Sequence, residues 1–139
     1  MRLKLYTLLC ASFLFLFTSC NQDDDPVPPE AGSKTVLVYI VADNSLASFA
    51  KEDVEEMIEG MKLVGSSSCN LLVYQDDRNT PVLFRIAKDK KGNVEKEIIK
   101  EYAEQVSTDV SVMKEVMHRA FYEYPADSYG LVYWSHADG

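Results

Sequence analysis

His136 is the residue best suited to chemistry in this chain. It stands in the polar segment Ser135-His136-Ala137-Asp138-Gly139, directly after an apolar run. An imidazole placed there can take up or release a proton near neutral pH, the work of a general acid or base. A loop histidine can equally cap or pack. Three carboxylates, Asp43, Asp76 and Asp77, follow two other apolar runs. They could hold a cation such as Ca²⁺ through oxygen ligands, or a basic side chain. Equally, Asp43 could cap a helix, and Asp76 and Asp77 could belong to a turn. His118 lies beside Met117 in a helical pattern and reads as a packing or surface residue. There is no P-loop, GxGxxG, HExxH or Cys/His metal spacing, so no metal ligand is assigned.

The chain has three cysteines. Cys10 falls inside an apolar N-terminal stretch and Cys20 at its end, which leaves Cys69 as the one thiol of the remainder. No intramolecular disulfide can form there. Cys69 opens the apolar run Cys69-Asn70-Leu71-Leu72-Val73-Tyr74 and is expected to be buried and inert.

The elements that must position these groups follow from hydrophobic period. Thr35–Ala42 is a continuous β-branched run, suited to a strand covered on both faces. Asp43-Asn44-Ser45 is a helix-capping cluster. Leu46, Phe49, Ala50, Val54, Met57, Ile58, Met61 and Val64 then recur at helical spacing, with Glu52–Glu59 as the solvated face. Asn70–Gln75 is a second strand, and strand, helix, strand implies a βαβ unit. Val82–Ala87 reads as a strand; Val94–Ile99 could pair back on it as a hairpin, or a helix could run from Val94 to Gln105. Ser107-Thr108-Asp109 caps a helix carrying Val110, Met113, Val116, Met117, Ala120, Phe121 and Tyr124, which Pro125 stops. Tyr129–Trp134 is a final strand of buried type. Ligands of open α/β sheets bind beyond the carboxyl ends of the strands. Asp43-Asn44, Asp76-Asp77 and Ser135-His136 would meet there.

The 139 residues allow one small domain once the N-terminus is set aside. Arg2 and Lys4 precede the apolar core Leu5–Phe17, which is shorter than the ~20 residues of a membrane span and fits an export signal. Phe17-Thr18-Ser19-Cys20 resembles the lipobox of bacterial lipoproteins, with Phe in place of the usual Leu. The resemblance implies a signal peptide over Met1–Ser19 and lipidation of Cys20. Cys20–Ser33, with Asp23-Asp24-Asp25 and Pro26, Pro28 and Pro29, is an extended tether, and Lys34–Gly139 is the folded part. The acidic residues after Cys20 also resemble the export signal of surface lipoproteins in Bacteroidetes-type bacteria. The chain is expected to be exported and held at the outer membrane or cell surface by its lipid. Hydrophobic residues at 47% and charged residues at 26% are ordinary for a globular domain. Net charge is −8, and losing Arg2 and Lys4 makes the remainder more acidic still. That excludes a basic surface for nucleic acid.

Val36–Asn44 (VLVYIVADN), Leu71–Asp76 (LLVYQD) and above all Tyr124–His136 (YPADSYGLVYWSH) resemble the N-terminal part of clostripain-type cysteine peptidases, the C11 family. The resemblance implies an α/β fold: a caspase-like three-layer sandwich with a mostly parallel sheet, of which only the N-terminal part is present. It also implies a His–Cys dyad with His136 as the histidine, and a peptide or protein substrate cut after Arg or Lys. Asp76 is the candidate for binding that basic side chain. The partner Cys is expected after the next strand, and Cys69 precedes His136, so no nucleophile is assigned. Ala137 stands where the family typically has the Gly whose N–H helps form the oxyanion hole. An Ala N–H can donate too, provided the backbone needs no positive φ. Calcium enters only through the resemblance, because clostripain itself needs it. The chain is expected to be inactive alone. The rival expectation is a non-catalytic surface module that binds peptide or a partner.

Overall fold

The computed structural model describes residues 33–64 and 69–136. The export segment, Cys20, almost all of the tether, and Ala137 lie outside the described residues. The run of Val, Ile and Tyr after Ser33 forms β1 (Lys34–Val41), and the helical pattern behind it forms α1 (Ala47–Leu63). The capping cluster works one step early. Asn44 Oδ1 accepts from the Leu46 backbone N–H at 2.8 Å, and no side chain caps the helix at Leu46 itself. β2 (Cys69–Asp76), β3 (Val82–Lys88) and β4 (Val94–Glu101) follow, then α2 (Val110–Glu123) and β5 (Ser128–Trp134). Of the two readings of the segment from Val94, the hairpin strand is the one adopted. Asp109 caps α2 as expected, its Oδ1 accepting from the Ser111 N–H at 2.7 Å.

The strands form one sheet in the order β4-β3-β2-β1-β5. β1 runs parallel to both β2 and β5, while β3 and β4 are an antiparallel hairpin appended at one side. The pleat sends alternate residues to opposite faces. Leu37, Tyr39, Leu72, Tyr74 and Leu83 pack with Val116 and Ala120 of α2 on one face. Val38, Ile40, Val73, Phe84 and Ile86 pack with Ala50 and Val54 of α1 on the other. This is a three-layer α/β sandwich, as expected, with the parallel pairs β2–β1 and β1–β5 on one side of the sheet and the two antiparallel pairs on the other. Phe49 departs from the expected apolar face of α1, since it is 56% exposed.

From β1 the chain moves to β2 on one side and later returns to β5 on the other. Adjacent strands connected in opposite directions leave a crevice at their carboxyl ends, the usual ligand position in such sheets. β5 stands at the sheet edge among the described residues. Its Tyr129, Leu131, Val132 and Tyr133 are therefore 44–51% exposed, unlike the buried strand that their types suggest.

Candidate active site

All three polar segments flagged in the sequence lie at the carboxyl edge, but the sheet divides them. The β1–β2 ladder runs to the end of the strands, where the Ala42 N–H donates to the Asp76 carbonyl at 2.6 Å. Beyond it the chain turns sharply, with the Asn44 N–H bonded to the Ala42 carbonyl at 2.7 Å and Arg78 Nη2 reaching the Asn44 carbonyl at 3.3 Å. His136 lies on the α1 side of this edge. Its Nε2 is 3.3 Å from the Ser45 hydroxyl. The preceding Trp134 packs toward α1, and its indole N–H donates to Asp53 Oδ2 of α1 at 2.7 Å.

On the α2 side is a separate cavity of about 420 Å³, lined by Val41, Asp43, Asp76, Glu104, Gln105, Val106, Ser107 and Thr108. Asp76 is only 3% exposed, and its Oδ1 has no hydrogen-bond partner. Burial pushes its carboxyl above the usual carboxylate range. The Ser107 hydroxyl pulls the other way, and the like charges of Glu104, Asp43 and Asp77 add to the upward push. A buried carboxylate, part-unpaired and among other acids, has the chemistry to receive a basic group.

The cavity wall is held by a tyrosine ladder. Tyr74, Tyr39 and Tyr133 are neighbours across β2, β1 and β5, with ring centroids 4.5 Å and 6.1 Å apart. Tyr39 donates to the Ser107 carbonyl at 2.9 Å. The Tyr74 hydroxyl meets Ser107 Oγ at 2.7 Å and accepts from Gln105 Nε2 at 3.0 Å. These bonds place the segment Gln105–Ser107, of which the sequence pattern marks Ser107 as part of a capping cluster and Gln105 as the end of a possible helix. Glu104 was missed, because nothing in its spacing ties it to β1 or β2. The recurring Tyr at the second or third position from the strand ends, Tyr39, Tyr74 and Tyr133, is the available signal.

Asp77 faces away from the cavity. Its Oδ2 accepts from Gln75 Nε2, and its Oδ1 from the Asn79 backbone and side chain, each at 2.8 Å. Asp43, Asp76 and Asp77 therefore build no shared oxygen cage. Among the described residues no group of three or more His, Cys, Asp or Glu could hold a metal ion. His118 stacks on Tyr122 of α2, 5.7 Å between centroids, away from the edge. Cys69 is half-buried and sits at the far end of β2, paired with Lys34.

A three-layer α/β sandwich with His136 at the carboxyl end of the parallel strand β5 is the caspase-like frame. The model of the clostripain family, Peptidase_C11, matches residues 38–139. The chain belongs to that family. It is similar to a B. fragilis cysteine protease at 56% identity and TM-score 0.75, covering 78% of this chain and 92% of that one. A secreted C11 cysteine protease from Bacteroides thetaiotaomicron, solved with an irreversible peptide inhibitor, is also 56% identical, at TM-score 0.73, with 78% of this chain and 30% of that chain covered. An inactive zymogen C11 protease from Parabacteroides distasonis is 34% identical at TM-score 0.73, over 81% of this chain and 33% of that one. The chain thus spans about a third of the length of the latter two. No curated protein matches the sequence.

Proposed function

We propose that this chain is the histidine-bearing N-terminal part of an exported, lipid-anchored cysteine endopeptidase that cuts after Arg or Lys. The observation that carries this is the place of His136, at the carboxyl end of β5 and beside the loop leaving β1. Cys69 cannot be its partner. It lies at the opposite end of the strands, roughly 20 Å from that edge at ~3.3 Å per strand residue. The thiolate is therefore supplied by polypeptide beyond this sequence.

In the reaction the thiolate attacks the scissile carbonyl carbon, and the carbonyl electrons move to oxygen. The Ala137 N–H is proposed to stabilise that oxyanion. The C–N bond then breaks, and imidazolium His136 gives its proton to the departing amine. Water next attacks the thioester carbonyl, losing a proton to His136, and the thiolate leaves. Asp76 is the proposed receptor for the basic side chain before the cut. A peptide lying across the carboxyl end of β1 would present its carbonyl to the His136 side and its side chain to the acidic side.

Export through Met1–Ser19, lipidation at Cys20, a tether over Cys20–Ser33 and a peptidase part over Lys34–Gly139 complete the proposal. A relative described as secreted supports export. The test is cleavage of Arg- and Lys-containing peptides. The chain alone is expected to be inert. Joined to its thiolate-bearing part it should cleave, and His136→Ala should abolish turnover. Cleavage by the 139-residue chain alone, lost in His136→Ala, would overturn the incomplete dyad. Peptide binding without turnover in any assembly would favour the non-catalytic surface module.

A further inference from the structure

We infer that Ser45 is a positioning residue for His136, holding the imidazole at the carboxyl end of β5 through a hydrogen bond between its hydroxyl and Nε2. This rests on the reading of His136 as the acid–base group. The two residues are 91 positions apart in the chain and 3.3 Å apart in space. Neither the loop nor the strand that brings them together is loose. Ser45 follows Asn44, which is tied at three points: to the Ala42 carbonyl at 2.7 Å, to the Leu46 N–H at 2.8 Å, and to Arg78 at 3.3 Å. The end of β5 is pinned by the bond from Trp134 to Asp53, 2.7 Å long. Asp53 lies on α1, the helix that Ser45 precedes. The ring and the hydroxyl that holds it are thus both registered to one helix.

The consequence is chemical. A neutral imidazole has two tautomers and can rotate about its side-chain bonds. A bond at one ring nitrogen biases the ring orientation, and a hydroxyl, which can donate to a bare Nε2 or accept from a protonated one, serves it in either tautomer. Proton transfer depends steeply on that geometry. Ser45 acts through His136, so its loss should slow turnover without weakening substrate binding. The bond is exposed, and a net hydrogen bond of this kind corresponds to about fivefold in an equilibrium.

The test uses the full chain with ¹⁵N-labelled histidine. There are two histidines, so His118 serves as the reference in every sample. Ser45→Ala should move the His136 χ1 rotamer ratio, read from ¹⁵N–Hβ couplings, about fivefold and leave His118 unchanged, while Ser45→Thr should keep the original ratio. If Ser45→Ala leaves the His136 ratio unmoved, or Thr behaves as Ala does, the inference is overturned. Should both histidines move in the Ala variant, the Thr variant decides. In the peptidase joined to its thiolate-bearing part, Ser45→Ala should lower kcat about fivefold with KM unchanged. An active His136→Gln enzyme would sink the underlying assignment. An inactive His136→Gln beside an unaffected Ser45→Ala would sink only the role of Ser45.

Discussion

Asp76→Asn should make the protein more stable at neutral pH, and less able to bind a basic side chain. The carboxyl is 3% exposed, its Oδ1 is unpartnered, and burial raises its pKa above the ordinary 3.8. Asn has nearly the same shape and no charge. A buried, unsatisfied polar group costs about 1–3 kcal/mol. Part of that remains with the amide, so the gain should be about 1–2 kcal/mol. For a domain of this size each kcal/mol shifts Tm by about 4–8 °C. The pH dependence fixes the sign. With a raised folded pKa, the native state holds the proton more tightly than the unfolded chain. Stability from Asp76 is fully present below its unfolded value of 3.8 and is lost as pH rises through the folded value. The gap between variant and parent should therefore be small in acid and grow to a plateau toward neutrality. Thermal or urea melts of both proteins across that range measure it, with all other carboxylates shared. A variant less stable than the parent at pH 7, or a gap independent of pH, would refute the reasoning. It would mean that the Ser107 hydroxyl outweighs burial and like-charge repulsion. A group whose removal stabilises the fold while weakening ligand binding behaves as a binding group, not a structural one.

Two further outcomes are expected. Tyr74→Phe removes the hydroxyl that meets Ser107 at 2.7 Å and Gln105 at 3.0 Å, and should cost about 1–3 kcal/mol in urea denaturation; a loss within error would show that these bonds do not hold the cavity wall. For Glu115, burial alone would raise the carboxyl, but Lys100 at 2.9 Å and Arg119 at 3.4 Å outweigh it and hold it below the usual range. Its contribution is present above the ordinary value of 4.5 and lost as pH falls through the lowered one. The partners are a third or more exposed, so Glu115→Gln should cost under about 1 kcal/mol, less in high salt, and a larger, salt-insensitive loss would contradict this.

Local pattern carried most of the fold. The β-branched run before Asp43 and the three-and-four spacing after it correspond to β1 and α1 almost residue for residue. It failed where tertiary pairing decides. The Glu-Lys-Glu of β4 suits helix and strand alike. Pairing with β3 settles it, placing Lys96 over the Phe84 ring at 4.7 Å and Arg85 3.5 Å from Glu97. β5 has the composition of a central strand, yet pairs on one side among the described residues. The edge rule brought Asp43, Asp76 and His136 to one end of the sheet. It could not say which face each would serve, because their spacing carries no record of how the loops turn beyond the strands.

That turn matters most in the loop leaving β1. Asp43 and Ser45 are two residues apart, yet Asp43 lines the acidic cavity on the α2 side and Ser45 meets His136 on the α1 side. Within a strand, residues two apart share a face. Here the chain has left the strand, and the bond between the Asn44 N–H and the Ala42 carbonyl reverses its course. Asn44 also accepts from the Leu46 N–H just before α1 and takes the Arg78 bond from the turn after β2. One short segment thus sets the separation between the group proposed to move protons and the group proposed to hold the substrate's charge. A capping cluster read as local helix punctuation is therefore also the bridge between the two halves of the proposed site.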